Sequence, residues 1–261
     1  MMEPMVFLDA QQVIGRRWST DQSPEQARIL SLARDALHFI LATGQWYLFE
    51  DFLQSGASSV APASSEEGSP ELREGLGKTE SFFRKLLDDP LAAKEQAQIQ
   101  FILNALQFIS STRQHEAFAD FIEYVEADAP PWVVASFETQ KEADAWLKSH
   151  PSPPLAHILI GGSYHDVAYD RETDFRRLPR NRHLHRYLAW LKRVEPPVAH
   201  ASFATREEAE AWLARQPSPA RRTWVSIAGE FYLAVYYPNI HHRALFPLSL
   251  SEGYEEEAEG L

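Results

Sequence analysis

The 261-residue chain contains no cysteine, only three methionines, and no apolar run approaching the length of a membrane span. Without cysteine there is no disulfide framework, no thiolate metal site and no thiol nucleophile. That composition suits a reducing compartment, and a cytoplasmic location is expected. The first ten residues lack a basic region and a long apolar core, so they do not read as a secretory signal. Roughly 20 consecutive apolar residues would be needed to cross a bilayer, and none are present. Basic charge is also scarce: 25 Lys and Arg stand against 37 Asp and Glu, a net charge of −12. The deficit is concentrated in residues 1–130, which hold 20 acidic and 10 basic side chains, and in the tail from Glu252 to Glu259. Such a surface disfavours nucleic acid and favours rapid capture of a basic partner.

What the chain does have is internal repetition. From Ala135 to Pro153, 12 of 19 residues recur 66 positions later, including Ser136, Phe137, Thr139, Glu142, Trp146, Leu147 and Pro151. Thr139-Gln140-Lys141-Glu142 and Thr205-Arg206-Glu207-Glu208 each read as a capping box, in which the hydroxyl accepts from a first-turn amide and the Glu reaches back. Ala143, Trp146 and Leu147 then form the buried edge of a short helix that Pro151 stops. Strands are expected at 133–137 before it and at His157–Ile160 after it, the latter matching Trp224–Ile227. A turn at Gly162, matched by Gly229, leads to a third strand at 167–169. Each copy is therefore expected to be β-α-β-β.

The first half reads as helical. Ser23-Pro24-Glu25-Gln26 is a helix start, and Ile29, Leu30, Ala33, Leu37, Ile40 and Leu41 keep the spacing of a buried stripe. Thr43-Gly44 ends that helix, and Trp46, Phe49, Phe52 and Leu53 predict a second one folded back on it. Nine of the 17 residues from Ala36 to Phe52 recur 69 positions later, among them Phe39, Thr43, Gln45, Phe49, Asp51 and Phe52. The expected architecture is thus α+β: a bundle of two similar helical hairpins over 1–129, then two tandem β-α-β-β repeats over 130–250, forming one sheet with helices packed on it. Residues 55–78, rich in Ser, Gly, Pro and Glu, are expected to form a flexible insert. A linker helix is expected over 181–193, and 251–261 an acidic tail.

Sequence chemistry is sparse. Eight of the ten histidines lie at or after His150. His183 and His185 are two apart, so on a helix they do not share a face, and neither they nor His241-His242 recur in the other copy. Ser163, His165 and Asp166 are the residue types of a hydrolytic relay, but neighbours on a strand point to opposite faces. No glycine-rich phosphate loop occurs. The basic run from Arg171 to Arg193, with Tyr187 and Trp190 interleaved, is diluted by Glu172, Asp174 and Glu195 and reads as a solvated face or an intramolecular dock. This reading assigns no catalytic residue, no cofactor and no metal. The residues best suited to contact a partner are the aromatic strand Tyr232, Tyr236 and Tyr237, the following His241, His242 and Arg243, and Tyr164 and His165 in the first copy.

The segments Phe39–Gln45 and Phe49–Leu53, with Glu207–Leu213, Ile227–Tyr236 and Arg243-Ala244-Leu245, together resemble small cytosolic immunity proteins of bacterial polymorphic-toxin systems, particularly myxobacterial ones. The resemblance implies a single-partner inhibitor that binds a cognate toxin domain non-covalently and blocks it, the toxin being in many such systems a basic nuclease. It carries no catalytic residues. Two rival expectations remain: a metal-dependent hydrolase using the C-terminal histidines, and a regulatory module binding a small ligand in the cleft between the two α/β copies.

Overall fold

The computed structural model describes residues 5–18, 22–55, 69–217 and 219–252. Most of the expected insert and nearly all of the acidic tail lie outside these residues. The chain divides into two compact units, one of Met1–Leu41 and Gln45–Ile122, the other of Ala42–Gly44 and Glu123–Leu261.

The first unit is helical: α1 Met5–Arg17, α2 Pro24–Ala42, α3 Trp46–Gln54, α4 Pro70–Leu87 and α5 Ala93–Ser111, with most of α6, His115–Glu126. The duplication is larger than a hairpin. Shifted by 69, α2 coincides with α5 residue for residue, α3 falls in α6, and α1 falls inside α4. α1 and α4 share no identities at this offset, yet Phe7, Ala10 and Ile14 are buried and so are their matches Leu76, Thr79 and Phe83. The expectation of a flexible segment to residue 78 is therefore corrected. Ser69 caps α4 by accepting from the Leu72 amide, Pro70 occupies the first turn, and Leu72, Leu76 and Phe83 are buried. This is the same start chemistry as Ser23-Pro24.

Contacts between the two three-helix halves occur in reciprocal pairs. Phe39 meets Phe118 at 5.4 Å and Phe121 at 5.5 Å between ring centroids; the matching residues Phe108 and Phe49, and Phe108 and Phe52, meet at 5.4 and 5.5 Å. Gln45 and Gln114, which are equivalents, donate to each other's side-chain oxygen at 2.7 and 2.8 Å. Lys94 pairs with Asp9 at 3.2 Å, and the matching positions hold Glu25 and Lys78, paired at 3.7 Å with the charges exchanged. When residue i touches j and the copy of j touches the copy of i, the halves are related by a pseudo-twofold axis, which passes beside Gln45 and Gln114. The helix ends obey the same symmetry. Gly44 and its match Arg113 both adopt positive φ, 70° and 57°, and the next amide closes on Ile40 O or Ile109 O at 2.9 or 3.0 Å. This is the left-handed helix stop that normally favours glycine.

The second unit contains β1 Val133–Phe137, α7 Gln140–Ser149, β2 His157–Ile160, β3 Ser163–Asp166, β4 Ala168–Asp170, β5 Phe175–Arg177, α8 His183–Val194, β6 Ala201–Phe203, α9 Arg206–Ala214, β7 Arg222–Ile227, β8 Glu230–Tyr237 and β9 His242–Pro247. The second copy has one strand more than expected and is β-α-β-β-β; the first follows the same plan, with the span that matches β8 divided into β3 and β4. Instead of one shared sheet, the described residues form three: β1-β2-β3, β4-β5 and β6-β7-β8-β9. In each copy the strands flanking the helix pair in parallel and the following hairpin is antiparallel, so the larger sheets are mixed.

The residues that made the repeat visible are those that hold these elements together. Thr139 and Thr205 accept from the Glu142 and Glu208 amides at 3.3 Å, while those Glu side chains accept from the Glu138 and Ala204 amides at 3.1 and 2.9 Å. Trp146 packs on Phe137 at 5.3 Å and Trp212 on Phe203 at 5.5 Å, each sealing a small apolar core. The β2-β3 and β7-β8 hairpins each turn through two residues of positive φ, Gly161-Gly162 and Ala228-Gly229, the backbone that matches the twist of paired strands.

Candidate functional site

The two α/β copies are so alike that their differences are informative. In the second copy, β8 runs unbroken from Glu230 to Tyr237. The matching span of the first copy, 163–170, is broken at Val167 into β3 and β4. Val167 turns its amide to Ala156 O at 2.9 Å, and the Asp166 amide donates to Pro179 O at 2.9 Å. The segment before α8 lies along β3: His165 bridges to Arg180, and the Asn181 amide donates to Tyr164 O at 3.0 Å. These backbone bonds deliver the start of α8 to the end of β3.

Four polar side chains meet there. His157 on β2 and Asp166 on β3 are direct cross-strand partners, so both side chains project from the same face. The His157 Nδ1 lies 2.7 Å from Asp166 Oδ1, and the Asn181 amide nitrogen donates to that same oxygen at 2.7 Å. Asn181 Oδ1 accepts from the His183 backbone amide at 3.1 Å, fixing the first turn of α8. His183 Nδ1 then stands 3.3 Å from His157 Nε2, with the rings edge to face. The second copy has Trp224 opposite Leu233 at the positions of His157 and Asp166, and both are buried. An apolar cross-strand pair in one copy is thus an ionisable, part-exposed cluster in the other.

The electrostatics follow from the geometry. Burial alone would raise the Asp166 pKa, but the hydrogen bonds from His157 and Asn181 and the two nearby imidazoles outweigh it, so the carboxyl titrates below its ordinary value. An ionised Asp166 is an acceptor, so the His157 Nδ1 that faces it is the donor; in the neutral tautomer that makes this bond, the lone pair is on Nε2. Desolvation, then the neighbouring His157, pushes the His183 pKa down, so its ring favours the neutral form. A neutral imidazole is the form that ligates metal. One oxygen and two nitrogens, from Asp166, His157 and His183, lie within 4.8 Å of one another.

The side chains expected to contact a partner are dispersed. Tyr164 and Tyr237 are core residues and cannot serve as surface anchors. The Tyr164 hydroxyl donates to Pro131 O at 2.8 Å and accepts from Tyr237, and Tyr237 packs on Tyr124. Burial pushes the pKa of both hydroxyls well up. Arg243 stacks on Tyr236 at 5.1 Å and donates to Gln216 O at 3.2 Å, at the end of α9. The first copy repeats this fastening, with Arg176 on Tyr169 at 5.2 Å and donating to His150 O at 2.7 Å. Tyr236 and Arg243 therefore have a scaffold role. His165 faces Leu178 O at 3.0 Å. Tyr232 is part-exposed beside Glu230. His241, at positive φ, faces the Tyr236 hydroxyl at 3.2 Å. His242 is half-buried, which pushes its pKa down, and approaches Ser136 Oγ at 3.4 Å. An open groove of about 680 Å³ lies there, lined by 134–138, Glu142, Ala145, Ile240 and His242. His241 and His242 do not converge on one centre.

The linker helix α8 presents a face that spacing alone did not single out. Leu184, Leu188 and Leu191 are buried, whereas Trp190 is 39% exposed and Val194 57% exposed. Arg186 and Arg193, one turn before and after Trp190, are exposed as well. Among the described residues no helix is long and apolar enough to cross a membrane.

Neither the protein-family models, nor the curated proteins, nor the solved structures contain a match to this chain.

Proposed function

We propose that this protein is a non-covalent inhibitor of a partner protein, an immunity protein that neutralises a cognate toxin domain. The observation that carries the reading is the solvent-facing stripe on α8, where Trp190 stands between Arg186 and Arg193 with Val194 one turn beyond it. Trp and Arg are the residue types that anchor protein interfaces, and an apolar anchor rimmed by charge is the usual anatomy of a contact patch. The sequence resemblance points to the same class of protein. The contact face is thereby moved from β8, much of which is internal, to α8. The rim there is basic although the chain is acidic overall, so the complementary surface of the toxin is apolar with acidic groups around it, whatever that toxin's net charge.

Co-expression with candidate toxin-domain genes of the same genome tests the reading. Cells are expected to be protected, and the two proteins to co-elute from gel filtration. Trp190→Ala should weaken the complex at least tenfold, which corresponds to about 1.4 kcal/mol. Absence of both protection and complex formation refutes the inhibitor reading. A complex insensitive to Trp190→Ala refutes α8 as its contact face.

A further inference from the structure

We infer that the first α/β copy carries a binding site for a divalent transition metal of the zinc class, with His157 Nε2 and His183 Nδ1 as ligands and Asp166 holding His157 in position from behind. The two nitrogens are 3.3 Å apart. Two imidazole nitrogens each about 2.0–2.1 Å from a tetrahedral zinc stand about 3.3–3.4 Å from one another. The spacing of the pair is therefore that of two nitrogens on one ion. The other face of His157 is arranged as a ligating histidine requires. Its Nδ1 is 2.7 Å from the Asp166 carboxylate, which aims Nε2 outward as an acceptor and strengthens it as a donor to metal. Asn181 then holds Asp166 at 2.7 Å and also accepts from the His183 amide at 3.1 Å, so one residue fixes both ligands.

A second, independent observation is the internal comparison. The copies agree at the Thr and Glu that cap the helix, at the Trp and Phe that seal each small core and at the Arg fastened on its Tyr, and at the positions of His157 and Asp166 they part. Trp224 and Leu233 show that the same strand pair is stable with buried apolar side chains. The part-exposed His157–Asp166 pair, with side chains 25% and 41% exposed, is thus not demanded by the fold. Nor does it form a hydrolytic relay, because the group at His157 Nε2 is another imidazole and no hydroxyl. Two protein nitrogens leave two positions of a tetrahedral ion for water or for an oxygen donor from outside the chain.

The experiment is titration of the metal-stripped full-length protein with zinc by calorimetry, and with Co²⁺ by visible absorption. One equivalent of zinc is expected to bind, and Co²⁺ to give the intense bands of a four-coordinate site. His183→Gln should weaken zinc binding at least tenfold. Asp166→Asn, which keeps the side-chain volume and leaves the ligands in place, should weaken it by about 10–100-fold. The double change His241→Gln and His242→Gln should leave affinity unchanged. Circular dichroism and the thermal midpoint of each variant establish that it is folded, and His157→Trp with Asp166→Leu, which restores the residues of the second copy, gives a folded protein without the site. Absence of saturable zinc binding refutes the inference, as does binding unaffected by His183→Gln and Asp166→Asn. The result is independent of whether the protein inhibits a toxin, since no partner is present in the assay.

Discussion

If the helical unit is two three-helix halves related by a pseudo-twofold axis, equivalent core substitutions must cost equivalent free energy. Phe39 and Phe108 provide the sharpest case. They are 1% and 2% exposed, and each meets two rings of the other half at 5.4 and 5.5 Å. Replacement of either by Leu removes two edge-to-face pairs, worth about 0.5–1.5 kcal/mol each beyond buried area. It leaves only a small cavity, because Leu fills most of the ring's volume. A loss of roughly 2 kcal/mol is expected for each, and the two losses should agree to within about 0.5 kcal/mol. With a urea slope near 2 kcal/mol/M, both midpoints should fall by about 1 M. Leu48→Ala, at a side chain 58% exposed on α3, is the control and should move the midpoint little. Urea unfolding followed by helical circular dichroism reads all three. A Phe39→Leu loss near 2 kcal/mol beside a Phe108→Leu loss below about 0.5 kcal/mol would refute the symmetry, because the ring geometry gives no reason for the difference.

Two further expectations follow from comparing copies. Ala228 sits at φ 50° where the first copy has Gly161 at φ 55°; a left-handed alanine costs about 1–2 kcal/mol, partly offset by the entropy of glycine, so Ala228→Gly should stabilise by about 0.5–1 kcal/mol, and an unchanged or lower thermal midpoint would count against the turn. His38 meets Phe121 edge to face at 5.2 Å, and desolvation there, followed by the Arg34 charge, holds its pKa below 6.5. The unfolded chain therefore takes up a proton first as the pH falls, and stability should decline below about pH 6.5 until the folded pKa is passed. His38→Gln, which installs the residue found at the matching Gln107, should flatten that slope in urea midpoints measured from pH 7.5 to 5; an unchanged slope would mean that His38 is not its source.

Legibility in the sequence depended on whether a residue's job was local. The hairpin duplication could be read because a helix stop and an aromatic stripe need particular residues: Thr43, Gln45, Phe49 and Phe52 recur as Thr112, Gln114, Phe118 and Phe121. The same repeat in α1 and α4 could not be read, since burial asks only for an apolar side chain of suitable size, and Phe7 with Phe101 is replaced at the other end by Leu76 with Leu32. The β-α-β core was visible through Thr139, Trp146 and Pro151. The extra strand and the separation into three sheets were not, because β5 is three residues of Phe-Arg-Arg and the break at Val167 is made by backbone bonds to Ala156 and by the insertion of 179–181 beside β3.

The candidate site is built from residues that are not neighbours in the sequence. Ser163 beside His165-Asp166, and His183 beside His185, are adjacent in the chain and do not act together. The residues that do meet are 9, 15 and 26 positions apart and are joined by strand register and by the seating of α8. A signal was nevertheless present. Aligning the copies at an offset of 67 sets His157 against Trp224 and Asp166 against Leu233. A duplicated domain contains its own control: positions equal in both copies report what the scaffold needs, and a coordinated change from apolar to ionisable at two cross-strand partners reports something added to it. By the same reasoning Arg243 and Tyr236 leave the list of contact residues, because Arg176 and Tyr169 perform the same fastening in the other copy. Trp190 is the contact residue we propose in their place, because α8 lies outside the repeated β-α-β-β-β elements and burial there accounts for the leucines and not for the tryptophan.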